Sequence, residues 1–257
     1  MLSTPAQGGA TEEEDKQPDM DGMEREAAGA LWCLAADESN RKKIADLGAI
    51  PTLIYLMKEG GKGGTQETAT GLLVQMAETL MICEKISAAD PITACEIVLD
   101  QGVDDAKTQA SALFRRLAFD VPSNQIPIAT ALVNVMSDGG TDLEMEYATQ
   151  LVYDLVGNDG ARDAMADAGA VPYLVTQIET ANSDQVSANS AHALFRIAKA
   201  GDDKRSEVTH QLICARHRCE DPQKEVRVSR VLSELNSEEN ETAMGLAILM
   251  FRLHTRD

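Results

Sequence analysis

Two histidines and two cysteines lie close together in the last quarter of the chain, and their types could do metal chemistry. They occur in the stretch HQLICARHRC, as His210, Cys214, His217 and Cys219. Imidazoles and thiolates are ligands that zinc prefers, and on a helix the first three would share a face. The spacing fits no standard zinc motif, however, and one helix rarely wraps four ligands around an ion. We therefore expect no metal, with Cys214 packed as a small apolar residue.

No other stretch carries a recognisable catalytic motif. The segment GGKGGT at 60–65 contains glycines and a lysine, but it joins two helical patterns and follows no strand, which is typical of a flexible linker. The chain has no serine elbow and no HExxH motif. The sequence predicts a protein that is not an enzyme and that uses no cofactor.

Composition narrows the class of partner. The net charge is −19, and a field of that sign repels nucleic acid and anionic membranes. The longest apolar run, at 243–251, is too short to span a bilayer, so we expect no membrane insertion. Five cysteines in a long chain, together with a start that has no apolar leader, fit a reducing compartment. We expect the cytoplasm, with the nucleus as a second location.

One helical phrase recurs along the chain, and it must position any functional side chains. The phrase has small residues in its middle and an apolar end, and it closes at Ala35, Ala77, Ala118, Val156 and Ala198. A second phrase recurs as IADLGAIPTLIYLM at 44–57 and MADAGAVPYLVTQI at 165–178. Self-similarity with a period of about 40 residues indicates a solenoid of stacked repeats.

Each period can be divided into three helices. The first ends at a glycine such as Gly48 or Gly169, which can take the left-handed conformation of a helix end. Pro51 and Pro172 follow in the first turn of the second helix, where a missing N–H costs nothing. The third helix is the phrase rich in small residues. No unit can bury its apolar face alone, so the sequence predicts an all-α, right-handed superhelical solenoid of about five to six three-helix repeats.

The stretch AAGALWCLAADESNRKKIADLGAIPTLIYLM, at 27–57, resembles the armadillo repeat, since the small residues, the Gly, the Pro and the period agree together. The resemblance covers the chain from about residue 23 to residue 200. The ending at 232–257 is similar to the last repeat of the beta-catenin and plakoglobin group. In armadillo proteins the third helices line a concave groove, which binds an extended peptide or a partner chain.

The resemblance also implies where partner-binding residues would lie. Armadillo grooves often carry asparagines on the third helices, because a side-chain amide can donate to and accept from a peptide backbone. The family's asparagine falls here on Cys33, beside Trp32. The equivalent positions in the other third helices are Gln75, Arg115 or Arg116, Asp154, Arg196 and Arg252. None is asparagine, so we expect this ladder to replace the usual backbone clamp.

The arginines of the ladder suggest a partner, because guanidinium groups bind carboxylates and phosphates. We expect a non-catalytic scaffold or adaptor that binds an extended acidic or phosphorylated segment, and the catenin likeness implies the same preference. The alternative for each arginine is an internal ion pair with an acid of a neighbouring repeat, such as Asp154. The alternative for the function is a transport adaptor similar to importin-alpha, which would bind basic peptides. Gly29, however, stands where importins place a tryptophan.

The two ends of the chain differ from its middle. Residues 1–22 are acidic and lack a periodic apolar face, so we expect a disordered tail before a solenoid at 23–257, whose part at 201–257 is divergent. The tail could occupy its own groove or remain solvated. The first third-helix, at 23–36, has no first or second helix before it, and such an uncapped end exposes apolar surface. A longer parent protein, a misassigned start or a homodimer through this edge would each explain it.

Overall fold

The computed structural model describes residues 20–60 and 64–237, and within these ranges it contains helices and no strands. The α-helices are α1 (Met20–Leu34), α2 (Glu38–Asp46), α3 (Ala49–Glu59), α4 (Thr65–Met76), α5 (Leu80–Ala88), α6 (Ile92–Gln101), α7 (Asp104–Asp120), α8 (Gln125–Asp138), α9 (Asp142–Leu155), α10 (Asp159–Asp167), α11 (Ala170–Thr180), α12 (Asp184–Ala198), α13 (Asp202–Arg218) and α14 (Pro222–Asn236). None of them is long and apolar enough to cross a membrane.

The helices form repeats in which each third helix packs on the next. Complete units are α2–α3–α4, α5–α6–α7 and α10–α11–α12, and α8 and α9 form a fourth with a short turn before them. Helix α1 is a lone third helix, and α13 and α14 pack as a pair at the other end. Consecutive third helices, α1, α4, α7, α9 and α12, contact one another side by side. The predicted all-α solenoid of stacked repeats is confirmed.

The glycines predicted at the helix boundaries adopt the left-handed conformation. Gly48 has a φ of 80° and Gly169 a φ of 82°, and each immediately precedes a second helix. A side chain at either position would be strained, because L-residues rarely adopt this region. The turn lets the short first helix reverse into the second, which packs its apolar face on the third helix of the same unit.

The unit built from α8 and α9 is irregular, and its irregularity agrees with the shortest spacing in the sequence. Helix α7 continues to Asp120, and a single 3₁₀ turn at Pro122–Asn124 takes the place of a first helix. Asn124 holds this turn in the core, because its Oδ1 accepts from the Ser87 hydroxyl at 2.9 Å and its Nδ2 donates to the Leu117 carbonyl at 3.4 Å. The repeat therefore keeps its second and third helices with a shorter chain.

An ion pair buried between neighbouring repeats joins α7 to α9. The Lys107 ammonium lies 2.8 Å from a Glu144 carboxylate oxygen, and both side chains are largely shielded from solvent. Glu144 also accepts from the Thr141 backbone N–H at 2.7 Å, which completes a capping box at the start of α9. Burial alone would raise the pKa of Glu144, but the hydrogen bonds from Lys107 and Thr141 outweigh it and lower that pKa.

Several sequence expectations lie outside the described residues. They concern most of the acidic tail at 1–22, the middle of the glycine linker at 61–63, the catenin-like ending from residue 238, and Arg252. Helix α1 begins at Met20, three residues before the predicted start of the solenoid. The ends of the linker, Gly60 and Gly64, do lie between two helices, α3 and α4.

Candidate functional site

Polar side chains form a hydrogen-bonded row across three adjacent third helices. On α7, the Arg115 guanidinium lies 3.3 Å from Asp154 of α9, and Gln150 donates to the other Asp154 carboxylate oxygen at 3.2 Å. Asn189 of α12 donates to the Gln150 carbonyl at 3.2 Å and accepts from Gln185 at 2.7 Å. We call Arg115, Asp154, Gln150, Asn189 and Gln185 the polar row. It crosses the third helices of three repeats and contains two of the ladder positions, Arg115 and Asp154.

Three of the five residues of this row were not expected from the sequence. Gln150, Gln185 and Asn189 lie one to three turns before the predicted ladder residues of their helices. Asn189 is 1% exposed, so its amide belongs to the packing between α9 and α12. The available signal was the helical spacing: Gln150 and Asp154 are four residues apart, and Asn189 and Arg196 are seven apart, which places each pair on one face.

Arg116 is held by the end of the preceding third helix. Its Nε lies 3.3 Å from the Ala77 carbonyl oxygen and 3.1 Å from an Asp120 carboxylate oxygen. Arg41 does the same one repeat earlier, donating to the Ala35 carbonyl at 3.0 Å. The carbonyls at a helix end need such donors. Arg116 therefore serves the fold, while Arg115, whose side chain is 53% exposed, faces solvent.

Arg196 has a different environment from the other two arginines. It is partly exposed on α12 and makes no ion pair with any residue in the described ranges. One turn earlier, the His192 ring lies 4.4 Å from the Tyr153 ring of α9, centroid to centroid. Burial, and secondly the nearby Arg196 charge, lower the pKa of His192 to about 4. The imidazole is therefore neutral at physiological pH, and Arg196 supplies positive charge beside it.

At the first two ladder positions, on α1 and α4, the side chains are uncharged. The Trp32 ring of α1 lies on Gly71 of α4, where an added Cβ would come within 2.5 Å of the ring. Cys33 is exposed next to it. Gln75, on α4, is partly buried, and its Oε1 has no hydrogen-bond partner among the described residues.

A cavity of about 460 Å³ opens between α4 and α7, beside the exposed end of the polar row. Its apolar lining comes from Val74, Ala112 and Phe119, and the Phe119 ring is 42% exposed. Its charged lining consists of Glu78, Arg115, Arg116 and Asp120. The cavity therefore combines an apolar wall with two cations and two anions.

The histidine and cysteine cluster does not converge on one point. Cys214 Sγ and His210 Nε2 are 3.7 Å apart on α13, and His217 is exposed on the same helix. Cys219 instead lies 3.8 Å from a carboxylate oxygen of Glu179. Burial, and then the Glu179 charge, raise the pKa of Cys219, which favours the thiol over the thiolate that zinc binds. In the described ranges, no three His, Cys, Asp or Glu side chains are grouped to hold a metal ion.

Solved structures with a similar fold include designed armadillo repeat proteins. One is 17% identical, with a TM-score of 0.56 over 86% of this chain and 96% of that chain. A second, solved in complex with the peptide (KR)4, is 15% identical, with a TM-score of 0.58 over the same shares. A third, computationally designed for modular peptide recognition, is 16% identical, with a TM-score of 0.56 over 85% and 95%. No protein-family model and no curated protein matches the chain. The fold is that of an armadillo-type α-solenoid.

Proposed function

We propose that this protein is a non-catalytic scaffold or adaptor that binds an extended peptide segment along the surface of α1, α4, α7, α9 and α12. The observation that carries the proposal is the polar row, which places amide and charged side chains across three successive third helices. An extended peptide presents donors and acceptors at regular intervals, and a row of such groups matches it. The designed armadillo proteins bound to or built for peptides support this use of the fold.

The partner segment is acidic or phosphorylated, and it engages the end of the groove formed by α12. Arg196 supports this part of the proposal, because it has no internal ion pair in the described ranges and lies beside a neutral imidazole. A guanidinium in that position binds a carboxylate or phosphate through two parallel hydrogen bonds. Arg115 contributes less, because Asp154 already neutralises it. The catenin-like ending of the sequence agrees with an acidic ligand and with a role in signalling, in the cytoplasm or the nucleus.

The alternative partner is a basic segment, as in an importin-like transport adaptor. The net charge of −19 favours it, and so do the acids along the groove, among them Glu78, Asp120 and Asp154. The designed relative that was solved with (KR)4 binds a peptide of this kind. All three of these acids already pair with arginines, however, so a basic peptide would have to displace Arg41, Arg115 or Arg116.

Charge reversal at Arg196 separates the two partners. An extended peptide of alternating glutamate and phosphoserine and a (KR)4 peptide are titrated against the full chain, the Arg196→Glu variant and a matched control, Lys42→Glu. Lys42 is exposed on α2, outside the third helices, so the control makes the same change of charge. We expect Arg196→Glu to lower the affinity for the acidic peptide about tenfold and Lys42→Glu to change that affinity little. Tight binding of (KR)4 alone, strengthened by Arg196→Glu, would establish the alternative.

We also propose that the outer face of α1 forms a homodimer with a second copy. Met23 and Leu34 are 60% and 54% exposed on this face, whereas the equivalent residues of α4, Thr65 and Met76, are fully buried. Ala27 and Ala30, between the two large residues, would let a second helix approach closely. Sedimentation velocity should show a dimer that Met23→Glu with Leu34→Glu removes, whereas Ile126→Glu on α8 leaves it intact. A monomer at every concentration would rule the dimer out.

A further inference from the structure

Two of the contacts between successive third helices share one positional pattern. Positions are counted back from the residue that closes the recurring phrase of each third helix. The residue three positions before the closing residue of one helix lies over the residue six positions before the closing residue of the next helix. Trp32 lies on Gly71 in this way, and Tyr153 lies on His192, with ring centroids 4.4 Å apart. In both cases an aromatic ring of one third helix fills the space between that helix and the next third helix. We call this space the inter-helix slot.

Between α4 and α7 the same two positions hold small residues. Val74 takes the place of Trp32 or Tyr153, and Ala112 takes the place of Gly71 or His192. The cavity of about 460 Å³ lies here, with both residues in its lining. The slot is open because no ring fills it, whereas an aromatic ring fills the slots between α1 and α4 and between α9 and α12.

We propose that the open slot receives an aromatic side chain of the bound peptide, a proposal that rests on the function proposed above. The space is one that this fold fills with Trp or Tyr elsewhere, so an aromatic ring is its natural size. Phe119, which is 42% exposed, lines the slot, and the guanidinium groups of Arg115 and Arg116 offer cation–π contacts.

The charges around the slot favour a neutral aromatic side chain over a charged one. Two arginines and two acids line it, and Arg116 is paired with Asp120 at 3.1 Å. A lysine or glutamate entering the slot would therefore meet one like charge for each opposite charge and would lose hydration. An aromatic ring loses little hydration and gains contact with Val74, Ala112 and Phe119.

The first test uses a small aromatic probe and the full chain. N-acetyl-tryptophanamide is titrated while the methyl resonances of Val74 and Ala112 are followed by NMR, with N-acetyl-alaninamide as the control ligand. We expect saturable shifts at both methyl groups with the tryptophan probe only. The double variant Val74→Trp with Ala112→Gly recreates the Trp32–Gly71 pair and should remove the binding. Absence of shifts at Val74 and Ala112 in the native chain would overturn the proposal, and that result does not depend on the variant folding.

The second test separates this proposal from the proposed function. Peptides selected from a random display library for binding to the native chain are compared with versions in which each aromatic residue is replaced by alanine. We expect one aromatic residue to be worth about tenfold in affinity, and that dependence to vanish in the slot-filled variant. Peptides that bind the groove with no such dependence would overturn the slot while leaving the function standing. Failure to select any peptide, together with probe binding in the slot, would overturn the function instead.

Discussion

Gly71 shows how a single small residue decides which side chain the neighbouring third helix can carry. Because Gly71 has no side chain, the Trp32 ring packs closely against α4 and fills the first inter-helix slot. In the sequence, Trp32 stood beside the position where an asparagine was expected, and nothing there showed that its ring is used in packing. The partner of the ring lies 39 residues away, on a neighbouring helix. Only the register between α1 and α4 brings the two together.

Replacing Gly71 by alanine is expected to destabilise the protein. The new Cβ would come within 2.5 to 2.9 Å of three Trp32 ring carbons, and we expect a cost of about 1–3 kcal/mol. Gly29→Ala is the matched control, since its nearest neighbour outside its own helix lies 3.9 Å away and alanine favours a helix by about 0.5–1 kcal/mol. Urea unfolding and the fluorescence of Trp32 measure both effects. Equal stabilities for the two variants would contradict the packing of Trp32 on Gly71.

His192 predicts a pH dependence of stability with a definite sign. Its pKa is lowered from 6.5 to about 4 in the fold, so between these values the unfolded chain takes up a proton that the folded chain does not. The free energy of unfolding should therefore be fully present above about pH 6.5 and fall as the pH drops towards 4. The variant His192→Gln copies Gln150, which occupies the equivalent position of α9. Over the same drop in pH, its free energy of unfolding should fall by about 1–2 kcal/mol less than that of the native chain, a range that allows for screening by solvent. Identical pH profiles would contradict a buried neutral imidazole.

The arginines mark the limit of sequence reasoning at this scale. Both roles were foreseen for them, binding a ligand or pairing with an acid such as Asp154, and the residue types alone could not choose. The structure pairs Arg115 with Asp154 and Arg116 with Asp120 and leaves Arg196 without an ion pair in the described ranges. Arg115 pairs with an acid of the next repeat, whereas Arg116 pairs with an acid one turn later on its own helix, so the outcome depends on which acids lie near each arginine in the folded chain.

At the scale of helices, most of the architecture could be predicted. The recurring phrases gave the third helices, the Gly and Pro positions gave the boundaries between first and second helices, and the short spacing before Val156 corresponds to the 3₁₀ turn at Pro122–Asn124. The ion pair between Lys107 and Glu144 could not be predicted, because it joins helices of different repeats through side chains on otherwise ordinary surfaces.

Breaking that ion pair is expected to weaken the joint between α7 and α9. Lys107→Met leaves the Glu144 carboxylate buried without its cation, and we expect a loss of about 2–4 kcal/mol. Adding Glu144→Gln should recover more than about 1 kcal/mol, because a neutral amide keeps the capping box without the buried charge. Urea unfolding of the single and double variants measures the difference. If Glu144→Gln restored no stability to the Lys107→Met variant, the Glu144 carboxylate would not be an unpaired buried charge in that variant.

At the scale of the whole molecule, the repeats place five third helices side by side, and the functional proposals depend on that surface. The polar row crosses α7, α9 and α12, the open slot lies between α4 and α7, and Arg196 lies at the α12 end. These features follow one another along the direction in which the helices stack. A segment lying across the third helices would meet them in turn, which is why we infer an extended partner rather than a compact one.

Locating a bound peptide on the solenoid tests this claim most directly. Peptides selected by display against the full chain carry a photoreactive group at each position in turn, and the cross-linked residues are identified by mass spectrometry. We expect cross-links to α4, α7, α9 and α12, in an order that follows the peptide sequence. Cross-links confined to the first helices α2, α5 and α10, or a selection that yields no binding peptide, would contradict it.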